Sequence, residues 1–283
     1  MNILITGGTS GLGYYTALKL AEEHNNKILL IGSNSLKGVK AAKKIQIITR
    51  NNKISFLQAD LSSINQASLL AKKLMSEKFD ILINNAGALY FSRIDTIDNI
   101  EKTFALNHLS YFALTNLLLQ NKNIKSCGRV INVASGAHKG VDIDINDLEM
   151  KKNYNGWVAY KKSKLCNILF TRKLSEFTSN MDITVNCLHP GFVETEFGKN
   201  NMGFLGLIIK LLMNIFAIKV EDGAKTILHL VKSKDVKAIT GKYFYKSKII
   251  EPSSFAQNPK RADQLWDESI KILKNKGLTL KTK

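Results

Sequence analysis

Tyr160 and Lys164 are the residues in this chain whose types and spacing most directly offer chemistry. Four positions apart, they share one face of a helix. A free phenol ionises near ~10, too high for a good acid or base at neutral pH. An ammonium held beside it favours the phenolate and lowers that pKa. The pair could therefore pass a proton to or from a substrate oxygen. The same spacing also describes an exposed aromatic beside a solvated lysine, so the elements around the pair have to decide.

Residues 157–173 read as the helix that carries it, with Leu165, Ile168, Leu169 and Leu174 at helical spacing. Strands are expected at 2–5, 27–31, 54–58, 80–84, 129–133, 183–188 and 241–245. Helices are expected at 12–24, 36–48, 66–77, 97–119, 220–231 and 260–274. This alternation implies an α/β fold, a single Rossmann-type doubly wound parallel sheet with helices on both faces. No low-complexity linker divides residues 1–283, which read as one domain.

A glycine cluster, Gly7, Gly8, Gly11 and Gly13, occupies the first strand-to-helix turn. A doubly wound sheet binds a dinucleotide there, with the pyrophosphate at the helix N-terminus. The spacing is not G-x-G-x-x-G, and the lysine of a P-loop is missing, which argues against a nucleotide triphosphatase. A turn that only lets helix and strand pack closely is the plainer alternative.

Bulk properties remove other classes. The net charge is +18, but only five of the 41 basic residues are arginine, and the lysines are scattered. With no nucleic-acid-binding motif, a solvated basic surface is expected and no nucleic-acid partner. Cys127, Cys166 and Cys187 form no metal-binding or disulfide pattern, so no metal is expected and a reducing, cytoplasmic setting fits. The N-terminus does not read as a signal peptide. Residues 202–220 are the most apolar stretch, but Lys210, Asn214 and Lys219 interrupt it, against a membrane span.

Four motifs follow in order: the residue 6–13 loop, Asn84-Asn85-Ala86-Gly87, Ser135 with Tyr160 and Lys164, and Pro190-Gly191 with Thr195. Together they resemble the short-chain dehydrogenase/reductase family across nearly the whole chain. Residues 104–109, 159–170 and 189–195 are most similar to its retinol-dehydrogenase-like branch, which includes WW-domain oxidoreductase and protochlorophyllide reductase. The 25-residue interval from Ser135 to Tyr160 suits that branch. Cys166 stands where protochlorophyllide reductases carry a cysteine, although the long insertion common in those enzymes is missing.

The resemblance implies hydride transfer between a nicotinamide and a carbon bearing oxygen. Tyr160 would exchange the proton, Lys164 would lower its pKa and bind the nicotinamide ribose, and Ser135 would polarise the oxygen. Asn107 would anchor a water leading to Lys164. The cofactor would lie against Gly7, Thr9, Ser10, Gly11, Leu12, Gly13, Ser33, Asp60, Leu61, Asn85, Ala86, Gly87, Tyr160, Lys164, Pro190, Gly191 and Thr195. Asp60 reads equally well as a helix cap before Ser62. His138 and Trp157 are placed near the substrate mouth or in packing. No carboxylate ends the second strand at Ser33-Asn34, and Lys37 is near, so NADP(H) is favoured over NAD(H). The expected substrate is a small lipophilic carbonyl or alcohol. Residues 196–220 are expected to form a substrate lid with peripheral membrane contact, or alternatively an interface in a homo-oligomer. A nucleotide sensor without turnover and a sugar-nucleotide epimerase are the competing functions.

Overall fold

The computed structural model describes residues 1–191 and 219–281. The chain starts with β1 (Asn2–Thr6), α1 (Gly11–Ala21), β2 (Lys27–Gly32), α2 (Ser35–Thr49), β3 (Ile54–Gln58), α3 (Ile64–Lys73) and β4 (Phe79–Asn84). Helix α4 opens with one turn at Lys102–Phe104, widens into a π turn over Ala105–Leu109 and continues as Ser110–Gln120. Then come β5 (Ile124–Val133), α5 (Gly156–Phe177), β6 (Thr184–Leu188), α6 (Val220–Lys232), β7 (Tyr243–Tyr245), β8 (Lys248–Ile249), α7 (Ser254–Gln257) and α8 (Pro259–Asn275).

The eight strands of the described residues form one sheet in the order β3-β2-β1-β4-β5-β6-β7-β8. Every pairing is parallel except β7 with β8. Successive strand residues point to opposite faces, and both faces are covered. Ile3, Ile5, Ile81, Ile83 and Ile131 pack with Leu20, Ala42 and Ile227 of α1, α2 and α6. Leu4, Leu82, Val130 and Val185 pack with Leu70, Phe112, Leu169 and Leu265 of α3, α4, α5 and α8. The apolar strands therefore need no alternation, and the anticipated doubly wound fold is what forms. After β3 the chain returns to add β4 on the other side of β1. That reversal opens a crevice at the carboxyl ends of β1 and β4, where such sheets bind ligands.

Four elements differ from the sequence reading. Helix α4 starts at Lys102, not 97, because the buried Glu101 carboxylate accepts from the Thr103 and Phe104 amides at 2.8 and 2.7 Å. Strand β5 starts at Ile124, with Cys127 in the left-handed region at φ 59°. The final strand is a short hairpin, β7 and β8, instead of one run from 241. Asp60 caps no helix: Ser63 is the N-cap of α3, and Asp60 accepts from the Ser62 amide and hydroxyl at 3.0 and 2.8 Å. Thr195 and nearly all of the expected lid fall outside the described residues.

Candidate active site

The crevice is a cleft of about 950 Å³ running over the carboxyl ends of β1, β2, β4, β5 and β6. Its floor is built by the two glycine-bearing turns. Gly7 and Gly11 have φ of +63° and +51°, which favour glycine. A Cβ on Gly7 would stand 2.8 Å from the Ala86 Cα, so the turns after β1 and β4 meet backbone to backbone. Thr6 locks them together: its hydroxyl oxygen accepts from the Asn85 and Ala86 amides at 2.9 and 3.1 Å. The Asn85 side chain donates back to the Thr6 and Gly7 carbonyls at 3.0 and 3.1 Å.

Thr9, Ser10, Gly11, Leu12, Ser33, Asp60, Leu61, Asn85, Ala86, Gly87, Pro190 and Gly191 all line the cleft with Gly7, as do Ser135, Tyr160 and Lys164. Gly13 does not. It is buried against the Gly7 carbonyl and Asn85, where a Cβ has no room, so its contribution is close packing of α1. Asn107 also lies beneath the lining. Its amide accepts from the Ala88 N–H at 2.8 Å and donates to the Ala88 carbonyl at 2.9 Å and the Ser163 hydroxyl at 3.0 Å. These bonds hold the segment that follows Gly87 against α5.

The residues present fit a dinucleotide. Helices α2, α3, α5 and α8 are capped by the side chains of Asn34, Ser63, Asn155 and Asn258. The N-cap of α1, Ser10, makes no such bond. The N-terminal amides of α1 thus face the cleft without a side-chain acceptor, as an anion-binding helix end requires.

At the other end of the cleft, α5 presents Tyr160 and Lys164 beside Ser135, which follows β5. The Ser135 oxygen accepts from the Ala137 amide at 3.1 Å, and its hydroxyl is a hydrogen-bond partner of Tyr160. Burial pushes the Tyr160 phenol up to about 12, against that bond with Ser135. Burial pushes Lys164 down to about 7. The lysine nitrogen is 5.8 Å from the centre of the Tyr160 ring and donates to the Val133 carbonyl at 2.9 Å. In the protein by itself, desolvation outweighs the depression of the phenol expected from the lysine charge.

Trp157 stacks on Tyr160 and lines the mouth. His138 is fully buried instead. Its Nδ1 pairs with the Ser135 carbonyl at 2.7 Å, and its Nε2 accepts from the Ser253 amide at 3.1 Å. Cys166 is buried in the core, and burial holds its thiol far above the usual range. The sequence reading missed Tyr90, Leu106, His189 and Tyr245 in the lining. His189 and Tyr245 stack with centres 4.0 Å apart at the ends of β6 and β7. The rule that ligands meet the carboxyl ends of strands was the available signal for both. Among the described residues no His, Cys, Asp and Glu cluster could hold a metal.

The description "short chain dehydrogenase" matches residues 1–203. The chain belongs to that family. It is 35% identical over 273 residues to retinol dehydrogenase 12 of Mus musculus, covering 96% of this chain and 85% of the relative. It is 35% identical over 282 residues to retinol dehydrogenase 13 of Homo sapiens, covering 96% and 84%. An uncharacterized protein from Mycobacterium paratuberculosis has the same fold at a TM-score of 0.80 and 25% identity, covering 99% of this chain and 95% of that one. As a short-chain dehydrogenase the protein is an NAD(P)-dependent oxidoreductase acting on CH–OH groups. These matches do not favour the sensor and epimerase alternatives. No helix of the described residues is long and apolar enough to cross a membrane.

Proposed function

We propose that the protein interconverts a lipophilic alcohol and its carbonyl compound, using NADP(H) in preference to NAD(H). The observation that carries this reading is the convergence of Ser135, Tyr160 and Lys164 at one end of a cleft whose other end is the glycine cradle. Trp157, stacked on Tyr160, lines it beside the proton-transfer group, where an apolar chain can sit. Retinol, the substrate in the names of the two relatives, is of this class.

A bound nicotinamide supplies or accepts the hydride. Tyr160 gives the proton to the substrate oxygen in reduction and takes it in oxidation. Ser135 donates a hydrogen bond to the same oxygen and steadies charge developing there. Lys164, on the same face of α5, supplies the positive charge that opposes the effect of burial on the phenol. The first-turn amides of α1 and the backbones at Gly7, Gly11, Ala86 and Gly87 hold the dinucleotide. Pro190 and Gly191 line the same cleft, and their sequence motif adds Thr195 as a cofactor contact. Asp60 and Leu61 take the adenine side.

Support for NADP(H) comes from the end of β2. Ser33, Asn34 and Lys37 line the cleft there, and no carboxylate follows the strand to bond a ribose 2′-hydroxyl or repel a 2′-phosphate. The single sheet supports reading residues 1–283 as one domain. Composition alone supports residues 196–220 as an apolar lid, with membrane contact or a second copy as its neighbour.

The test is a panel of short and long aldehydes and their alcohols, with each nicotinamide, followed by nicotinamide absorbance. Turnover should rise with chain length, and reduced NADP should bind more tightly than reduced NAD in a fluorescence titration. No turnover of any carbonyl or alcohol would remove the substrate assignment, and tighter binding of reduced NAD would remove the cofactor assignment.

A further inference from the structure

One turn beyond Lys164 on α5 lies Asn167, wholly buried and without a part in the chemistry above. Its amide and the Lys164 ammonium converge on one acceptor, the Val133 carbonyl. The lysine nitrogen is 2.9 Å from that oxygen and the amide nitrogen 3.4 Å. The first is a good hydrogen bond; the second lies beyond the usual range for one. On its other side Asn167 is the hydrogen-bond neighbour of His108, the residue after Asn107 in the π turn of α4. Two buried atoms there have no partner among the described residues, Asn167 Oδ1 and His108 Nδ1.

Counting protons gives one arrangement that satisfies this pair. Ser269 of α8 donates its only hydroxyl proton to the Leu265 carbonyl at 2.7 Å. With that proton so used, Ser269 accepts from His108 Nε2, 3.0 Å away, in one of the two tautomers open to the ring. Burial keeps His108 neutral, with its pKa pushed down to about 3. Nδ1 is then a lone pair that needs a donor. The amide of Asn167 supplies one if its nitrogen faces His108, and a half-turn of an amide exchanges nitrogen and oxygen with little change of shape. That half-turn gives up only the long contact with Val133. It places the amide oxygen beside the carbonyl that already receives the Lys164 ammonium.

We propose that Asn167 is a positioning residue whose amide oxygen, oriented by His108, is a second acceptor for the Lys164 ammonium. A lysine ammonium has three donors, and among the described residues the one hydrogen bond of Lys164 goes to Val133. The titratable side chains facing it are Tyr111 of α4, with its ring centre at 5.9 Å, and Tyr160 of α5. Among the described residues no carboxylate acts on it, and burial lowers its pKa. A buried cation in that setting depends on neutral oxygens to stay charged. The chain Ser269–His108–Asn167–Lys164 thus links α8, the π turn of α4 and α5 to the charge beside Tyr160.

The inference rests on the proposed role of Lys164, but its test does not depend on turnover. Reactivity of Lys164 towards a small acylating reagent would be followed by mass spectrometry against pH in the cofactor-free full chain. In Asn167→Leu the Lys164 midpoint should fall by about one pH unit, because an oxygen that stabilises the charged form is gone. In Asn167→Asp, which keeps the shape, it should rise by about one pH unit or more. An unchanged midpoint in Asn167→Asp overturns the proposal even if Asn167→Leu does not fold. A rise in Asn167→Leu also overturns it, since the nitrogen would then have faced the lysine. Lys164→Met separates the two ideas: retained turnover in that variant would sink the catalytic reading and leave the Asn167 result standing on its own.

Discussion

Trp157 lies stacked on Tyr160, with ring centres 5.7 Å apart and planes 20° apart. Trp157 is 44% exposed and Tyr160 only 8%. The indole shields the phenol from water, so a substrate reaching Tyr160 passes the outer ring. Tyr160→Phe keeps this stack and the burial and removes only the hydroxyl. Turnover should drop about 10²- to 10⁴-fold, the usual contribution of general acid–base catalysis. Binding of the reduced cofactor and the melting temperature should stay close to wild type. Near-normal turnover of a good substrate by the Phe variant would exclude Tyr160 as the proton carrier.

Trp157→Ala tests the other half of the stack. An exposed ring contributes little to stability, so the variant should fold normally. Its loss opens the mouth beside Tyr160. KM for long-chain aldehydes should rise about tenfold, equivalent to ~1.4 kcal/mol of lost contact, with a smaller effect on short ones. An equal change for both chain lengths would mean that Trp157 packs against the phenol without touching substrate.

Much of this site was legible because its parts are local in sequence. Tyr160 and Lys164 are one helical turn apart, and the glycines of the first turn are contiguous, so spacing alone places them. The doubly wound sheet was legible for a similar reason: apolar strands buried on both faces alternate with helices. What was not legible depends on contacts between distant segments. Tyr245 reaches His189 only because β7 pairs beside β6, and His138 is tied to Ser253 by a loop 115 residues away. The π turn at Ala105–Leu109 inserts no residue type that breaks a helical pattern. Asp60 preceded a helix start that has two serines, and the cap went to Ser63.

Glu101 is the buried side chain that starts α4. It is 1% exposed and accepts from the Thr103 and Phe104 amides. The Tyr154 hydroxyl stands 3.0 Å from its carboxylate and 3.0 Å from the Tyr90 carbonyl, tying it to the cleft wall. Glu101→Ala removes a helix cap and strands buried donors. Denaturant unfolding should show a loss of about 3 kcal/mol. Glu101→Gln, which keeps one acceptor, should lose less. A variant Ala protein as stable as wild type would show that water replaces the carboxylate at no cost.

Lys37 stands at the first turn of α2, where its backbone amide donates to Asn34 Oδ1 at 2.9 Å. Its exposed side chain lines the cleft beyond the end of β2. A 2′-phosphate there would gain an ion pair in solvent, which is modest and screened by salt. Lys37→Ala should weaken binding of reduced NADP about five- to tenfold and leave reduced NAD unchanged. The difference should shrink as salt is added. Equal losses for the two cofactors would show that Lys37 acts on α2 and not on the phosphate.

Three imidazoles are held neutral by burial, and the pH dependence of stability should report them. From an ordinary value of 6.5, His108 is pushed down to about 3, His189 to about 4, and His138 downward. His189 uses its Nδ1 lone pair to accept from the Gly191 amide at 3.3 Å, and His138 uses Nε2 for Ser253. Protonation would turn those acceptors into donors. The unfolded chain binds protons on these histidines once pH falls below about 6.5, while the folded chain does not until near their depressed values. Stability contributed by keeping them neutral is therefore complete above pH 6.5 and is lost progressively as pH falls towards 4. Near pH 5 the slope of unfolding free energy against pH should correspond to at least about two protons taken up on unfolding. His189→Asn keeps an acceptor for Gly191 and cannot titrate, so its slope should be smaller by about one proton. A slope unchanged in that variant would mean that His189 is protonated equally in the folded and unfolded chains.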